Sequence, residues 1–146
     1  MIRDALPEDI PSLMVEGRRF FDAAGWPVEW DDASVEKTLH DLITTPGGIL
    51  LVMEEGGRIV GMAGALVYPF YFNRAHLTGQ EVFWWVAPSH RGSGTILLSR
   101  LEDAARDRGA QSFTMMAVEH MRSETLGLLY RRRGYTPSER CYLKRF

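Results

Sequence analysis

An apolar strand, a glycine turn and an amphipathic helix follow one another without a break between Glu81 and Gly109. This run limits the fold more than any other stretch. Glu81 to Pro88 reads Glu-Val-Phe-Trp-Trp-Val-Ala-Pro, whose aromatic and β-branched residues suit a strand. Ser89-His90-Arg91-Gly92-Ser93-Gly94-Thr95 is a short loop with a cation and two glycines. From Ile96 to Arg108, apolar side chains recur at Leu97, Leu98, Leu101, Ala104 and Ala105, which is helical spacing, and Gly109 is a helix stop. Such a turn favours anions. The first N–H groups of the helix have no partner within it, the helix dipole is positive there, and glycine lets a phosphate approach the backbone.

The rest of the chain alternates in the same way. Ile2 to Ala5 is a candidate edge strand. Pro7, Glu8 and Asp9 open a helix whose apolar stripe is Ile10, Leu13, Met14, Gly17, Phe20 and Phe21, ended by Gly25-Trp26-Pro27. Asp31, Asp32 and Ser34 offer caps to a second helix, with Val35, Leu39, Leu42 and Ile43 inward. Ile49 to Met53 and Ile59 to Val67 read as strands joined by a Glu55-Gly56-Gly57-Arg58 hairpin, with Gly61 and Gly64 marking a bulge or a close backbone. Tyr68 to His76 reads as an aromatic loop. Ser112 to Val118 is a strand, Arg122 to Arg133 a helix, and Arg140 to Lys144 part of a closing strand pair. The order is strand, two helices, three strands, helix, strand, helix, two strands, which predicts α/β layers around a mixed sheet in one domain over residues 1–146.

The 146 residues carry 17 basic and 19 acidic side chains, so the whole chain lacks the basic signature of a nucleic-acid binder. The charge is uneven, because residues 122–146 are markedly basic. That segment is either a solvated helix end or a patch for an anionic ligand. Apolar runs are too short for a membrane span. A lone cysteine, Cys141, and the lack of a leader pattern at Met1 predict a reducing, cytoplasmic setting. No histidine pair has ligand spacing, so no metal is expected.

Val86-Ala87-Pro88-Ser89-His90-Arg91-Gly92-Ser93-Gly94, followed later by Leu129-Tyr130-Arg131-Arg132-Arg133-Gly134-Tyr135, resembles the two landmarks of the GNAT-type, acetyl-coenzyme A-dependent N-acetyltransferases. The aromatic strand and the ending are most similar to phage-encoded members. The resemblance implies a GNAT fold: a mixed, mostly antiparallel sheet of six to seven strands flanked by about four helices. It also implies acetyl-CoA as cosubstrate, a primary amine as acceptor, and a homodimer as an available assembly. The sequence departs from the Gln/Arg-x-x-Gly-x-Gly/Ala signature. If Arg91 opens it, Ile96 stands where a small residue belongs; if Ser89 opens it, Gly92 and Gly94 fit and the cation is lost.

By the same resemblance, Arg91, Gly92, Ser93, Gly94 and Thr95 hold the diphosphate, and main-chain groups of Trp85, Val86 and Ala87 hold the pantetheine and polarise the acetyl carbonyl. Ser123 stands where relatives often carry a hydrogen-bonding asparagine. Tyr130, four residues before Gly134, is the candidate general acid for the thiolate. Glu81 is the candidate base. It is read as starting the strand and alternating with Phe83 and Trp85 on one face, where aromatic neighbours raise a carboxyl pKa. Each has a plainer reading, Tyr130 as a core aromatic and Glu81 as an exposed strand end. The alternative to an enzyme is a catalytically silent module that binds acyl-CoA or a protein.

Overall fold

The computed structural model describes residues 1–146. Its elements are β1 (Ile2–Asp4), α1 (Ile10–Ala24), α2 (Asp32–Thr44), β2 (Gly48–Glu55), β3 (Arg58–Phe70), β4 (Asn73–Val86), α3 (Gly94–Asp107), β5 (Ser112–Thr114) and α4 (Ser123–Arg132). The strands make one sheet in chain order, antiparallel from β1 to β4 and parallel between β4 and β5. The sheet thus has five strands, not the six to seven expected. The missing pair is the chain's ending: residues beyond Gly134 form no strand, and from Thr136 onward their side chains are exposed. Tyr142, Leu143 and Phe146 find no partner that would repay the ordering of a strand.

Two apolar layers cover the sheet. On one face, Leu13 and Phe20 of α1 and Leu39 and Leu42 of α2 pack on Leu50, Val52, Met62 and Trp85. On the other, Leu97, Leu101 and Ala105 of α3 pack on Ile49, Leu51, Val60, Ala63 and Ala65. The β2 residues alternate between the two layers, as a pleated strand requires; β3 alternates likewise from Met62 to Ala65, and a bulge opposite Met53 and Glu54 puts Val60 on the α3 side. Local signals explain the helix ends. The Asp31 carboxylate accepts the Ser34 N–H at 2.9 Å at the start of α2, and Gly109 takes φ 87° after α3.

The Tyr68–His76 stretch is not a loop. β3 and β4 run through it as one long hairpin, paired from Gly61↔Val86 to Phe70↔Asn73. Only Tyr71 and Phe72, both exposed, lie between the strands. β4 therefore starts at Asn73, and Glu81 sits in its interior rather than at its start.

A bulge interrupts that pairing at the expected glycine. Ala65 opposes Glu81 and Gly64 opposes Phe83, leaving Val82 without a partner. A side chain on Gly64 would meet the Phe83 ring at 2.8 Å, so the glycine makes room for it. The extra residue also breaks the alternation read from sequence. Opposed residues share a face, so Glu81 lies with Ala65 on the α3 side while Phe83 and Trp85 pack toward α1 and α2. Bulges bend a strand and sharpen its twist. β4 pairs with β5 only at Thr78, Gly79 and Gln80, just before the bulge, and the two strands part from there on.

Candidate active site

Where β4 leaves β5, the main chain of both strands loses its ladder partners, and buried N–H and C=O groups must then bond elsewhere. Met116, two residues past β5, shows how. Its N–H donates to Glu81 Oε2 at 2.7 Å, and its carbonyl accepts from the Tyr130 hydroxyl at 2.7 Å. The two side chains singled out from the sequence thus meet at one residue across the gap. Both are buried, at 6% and 7% exposure. Burial pushes the Glu81 carboxyl up to about 7, partly opposed by the Met116 N–H. Burial also pushes the Tyr130 phenol well above its ordinary value, with Glu81 and Tyr135 adding to it. Glu81 can therefore exchange a proton near neutrality, while Tyr130 holds one to give.

The phase of the β3–β4 ladder decides which β4 groups face the gap. The Ala87 N–H donates to Val60 O at 2.8 Å. Main-chain groups alternate sides along a strand, so Ala87 and Trp85 turn their N–H groups toward β3. Those of Trp84 and Val86 point to the open edge. Of the three strand residues predicted to touch pantetheine, Val86 is the one with a free donor. Trp85 is turned away in side chain as well: its indole N–H donates to Glu16 Oε2 at 2.8 Å inside the α1 layer. Trp84, a residue for which the sequence gives no role, lies at the gap. Its ring is 6.2 Å from that of Tyr130, and its indole N–H donates to Gly94 O at 3.2 Å.

That bond ties the gap to the turn that follows. Gly94, not Ile96, begins α3, and Ser93 stands before it without a capping side chain. The N–H groups of Gly92, Gly94 and Thr95 donate to nothing within the chain. Gly92 adopts φ 104°, a conformation side chains disfavour, with open space around it. Arg91 is exposed beside it, and His90 is tied back to Glu55 and to Ser89. Ile96, in the signature's small-residue place, is 60% exposed and does not fill the turn. Arg91 to Thr95 thus form an uncapped helix start, open at Gly92 and backed by the Trp84 ring at Gly94, a setting for diphosphate oxygens.

Ser123 is the first residue of α4, the helix that carries Tyr130, and is preceded by Arg122 at φ 53°. The end of α4 is clamped to α3. Arg133 Nη2 donates to Glu102 Oε2 at 2.8 Å, and the Tyr135 hydroxyl to Glu102 Oε1 at 2.7 Å. Arg131 and Arg132 are exposed, whereas Arg133 is committed to Glu102. No group of three or more histidine, cysteine or carboxylate side chains is arranged to hold a metal ion. No helix is long and apolar enough to cross a membrane.

The family model for Acetyltransferase (GNAT) family proteins matches residues 16–135. No curated protein matches the sequence. Solved structures share the architecture. A predicted acetyltransferase from Clostridium acetobutylicum, crystallised with acetyl-CoA, is 20% identical with TM-score 0.79, the match covering 99% of this chain and 95% of that one. A ribosomal-protein-alanine N-acetyltransferase from Brucella melitensis is 22% identical with TM-score 0.73, over 100% and 99%. An aminoglycoside antibiotic 6'-N-acetyltransferase from Acinetobacter haemolyticus is 18% identical with TM-score 0.75, over 100% and 98%. Likeness at these identities speaks for the fold.

Proposed function

The chain belongs to the acetyltransferase (GNAT) family, and from that membership we propose that it moves the acetyl group of acetyl-CoA onto a primary amine by direct attack. One observation carries this reading: the parting of β4 from β5 exposes a main-chain edge bordered by Glu81 and Tyr130 and ending at the uncapped start of α3. The diphosphate rests on the N–H groups of Gly92, Gly94 and Thr95, with Ser93 in the same turn and the Arg91 guanidinium adding charge. The pantetheine arm runs along the open edge past Val86 toward Ser123, and the Val86 N–H meets the acetyl oxygen.

The amine nitrogen attacks the thioester carbon, and the oxygen takes the negative charge against the Val86 N–H. Glu81 accepts the surplus proton of the attacking nitrogen, directly or through one water. The C–S bond then breaks, the carbonyl reforms, and Tyr130 gives its proton to the departing thiolate. The proton on Glu81 restores the phenol, so the site ends as it began with one amide and one free thiol made.

Incubation with acetyl-CoA and a panel of amines, followed by detection of free thiol, tests the proposal. An aminoglycoside, a peptide with N-terminal alanine and a linear polyamine make a sufficient first panel. Thiol release that depends on one of them supports transfer. A second reading, the silent acyl-CoA module, draws on the Met116 main chain occupying both Glu81 and Tyr130. Stabilisation by acetyl-CoA without thiol release on any amine supports that reading instead.

A further inference from the structure

Glu16 is the buried carboxyl that the proposed chemistry does not use. It lies in the middle of α1, 6% exposed, among Leu13, Gly17 and Phe20. Burying such a group is costly unless its oxygens are bonded, and here both are. Oε2 accepts the Trp85 indole N–H at 2.8 Å, and Oε1 accepts from Arg19 at 2.8 Å. The Trp85 ring also lies 5.9 Å from Phe20, which meets Trp26 edge-on at 5.3 Å.

Trp85 sits between the two residues whose N–H groups face the gap. Beyond the bulge this stretch of β4 is paired on one edge only, through Gly64↔Phe83, Ala63↔Trp84, Met62↔Trp85 and Gly61↔Val86. A strand held along one edge is free to twist about that edge. The Trp85 side chain, anchored at its tip by Glu16, is a lever that stops this rotation. A lost anchor would leave the indole N–H unbonded in the core, and the ring would turn to find another acceptor.

We propose that Glu16 is a positioning residue: through the Trp85 indole it fixes the pitch of β4, and with it the aim of the neighbouring Val86 N–H at the acyl carbonyl. The inference rests on the acetyl-transfer reading above. Glu16 bonds to Arg19 and Trp85 and to no residue of the Arg91–Thr95 turn, so the effect is expected on turnover more than on acetyl-CoA affinity.

The test compares E16L, E16Q and W85F with the parent chain. Glutamine keeps an acceptor oxygen for the indole, leucine keeps only volume, and phenylalanine keeps a ring without the donor. The expected result is a tenfold or greater fall in kcat for E16L and W85F, KM for acetyl-CoA within twofold, and recovery by E16Q to within threefold of the parent. Amide spectra give a readout independent of activity: signals of Trp84, Trp85 and Val86 shift in E16L and return in E16Q. Equal kcat and unmoved Trp84–Val86 amides in E16L overturn the proposal. Should E16L fail to fold, W85F with parental kcat overturns it alone. A parent chain that releases no thiol on any amine overturns the acetyl-transfer reading first, and the amide shifts then decide whether Glu16 still sets the strand.

Discussion

At the scale of single residues, Glu81 trades stability for a proton site. Its folded pKa is about 7 against an ordinary 4.5, so the folded chain holds that proton more tightly than the unfolded one. The group's contribution is greatest below about 4.5 and is lost as pH rises toward 7, a difference of about 3 kcal/mol. Glu81→Gln is therefore expected to be more stable than the parent at pH 8, by about 1–3 kcal/mol, with the gap closing at pH 5. Denaturant titration at both pH values measures this. In turnover, the parent rate is expected to rise with pH through about 7, and the Gln variant to be slow and flat. Tyr130→Phe is expected to cut kcat by about 100-fold with acetyl-CoA affinity within a few-fold, and to cost about 1 kcal/mol for the orphaned Met116 carbonyl. Unchanged thiol-release kinetics would remove the phenol from the reaction. Tyr130 was legible because its distance from Gly134 resembles a family landmark. Glu16 was not: within an apolar stripe it reads as a surface residue, and its partner Trp85 lies 69 positions away.

At the scale of elements, helices read well and strand edges did not. α1, α2 and α3 have stripes and caps within their own sequence, and the structure ends each within a few residues of the expected place. In the sequence the β3–β4 hairpin tip reads as a loop, because Pro69 and the aromatics Phe70, Tyr71 and Phe72 break the period of two. Pairing across the hairpin overrides that local preference. The ending reads as a strand pair with Arg140 to Lys144 as one strand, yet strand-forming residues without an apolar surface to cover leave the chain unpaired. Even the bulge was half-legible: glycine announced it on β3, while its extra residue, Val82, lies on the partner strand. The turn before α3 supplies its own test. Gly92→Ala forces a side chain onto φ 104° at a cost of about 1–3 kcal/mol, and weaker acetyl-CoA binding is expected with it. Arg91→Ala is expected to raise KM for acetyl-CoA several-fold with kcat little changed, the loss shrinking in high salt because the charge is exposed. Calorimetric titration at two ionic strengths decides this.

At the scale of the whole molecule, the ligand and the tail are expected to matter very differently. Acetyl-CoA at about a hundred times its Kd adds about 2.7 kcal/mol to the folded state and raises Tm by several degrees, equally in the parent and in Tyr130→Phe. Removing residues 139–146 gives up the exposed Arg145–Glu29 pair and no strand, so Tm is expected to change by under about 2 °C. A thermal melt of each form checks both statements. The sequence discloses the two packed faces and the glycine turn before α3, because periodicity and glycines report on neighbours in the chain. It does not disclose that the ending adds no strand to the sheet, or which donors are free, because these depend on partners brought together only by folding. Val82 shows what that difference means for engineering. Taking it out would leave the Ala65–Glu81 and Gly64–Phe83 rungs intact and let β4 run straight alongside β5. The shortened chain is expected to melt later and to lose the proposed acetyl transfer, and a screen that ranked variants by heat resistance alone would choose it.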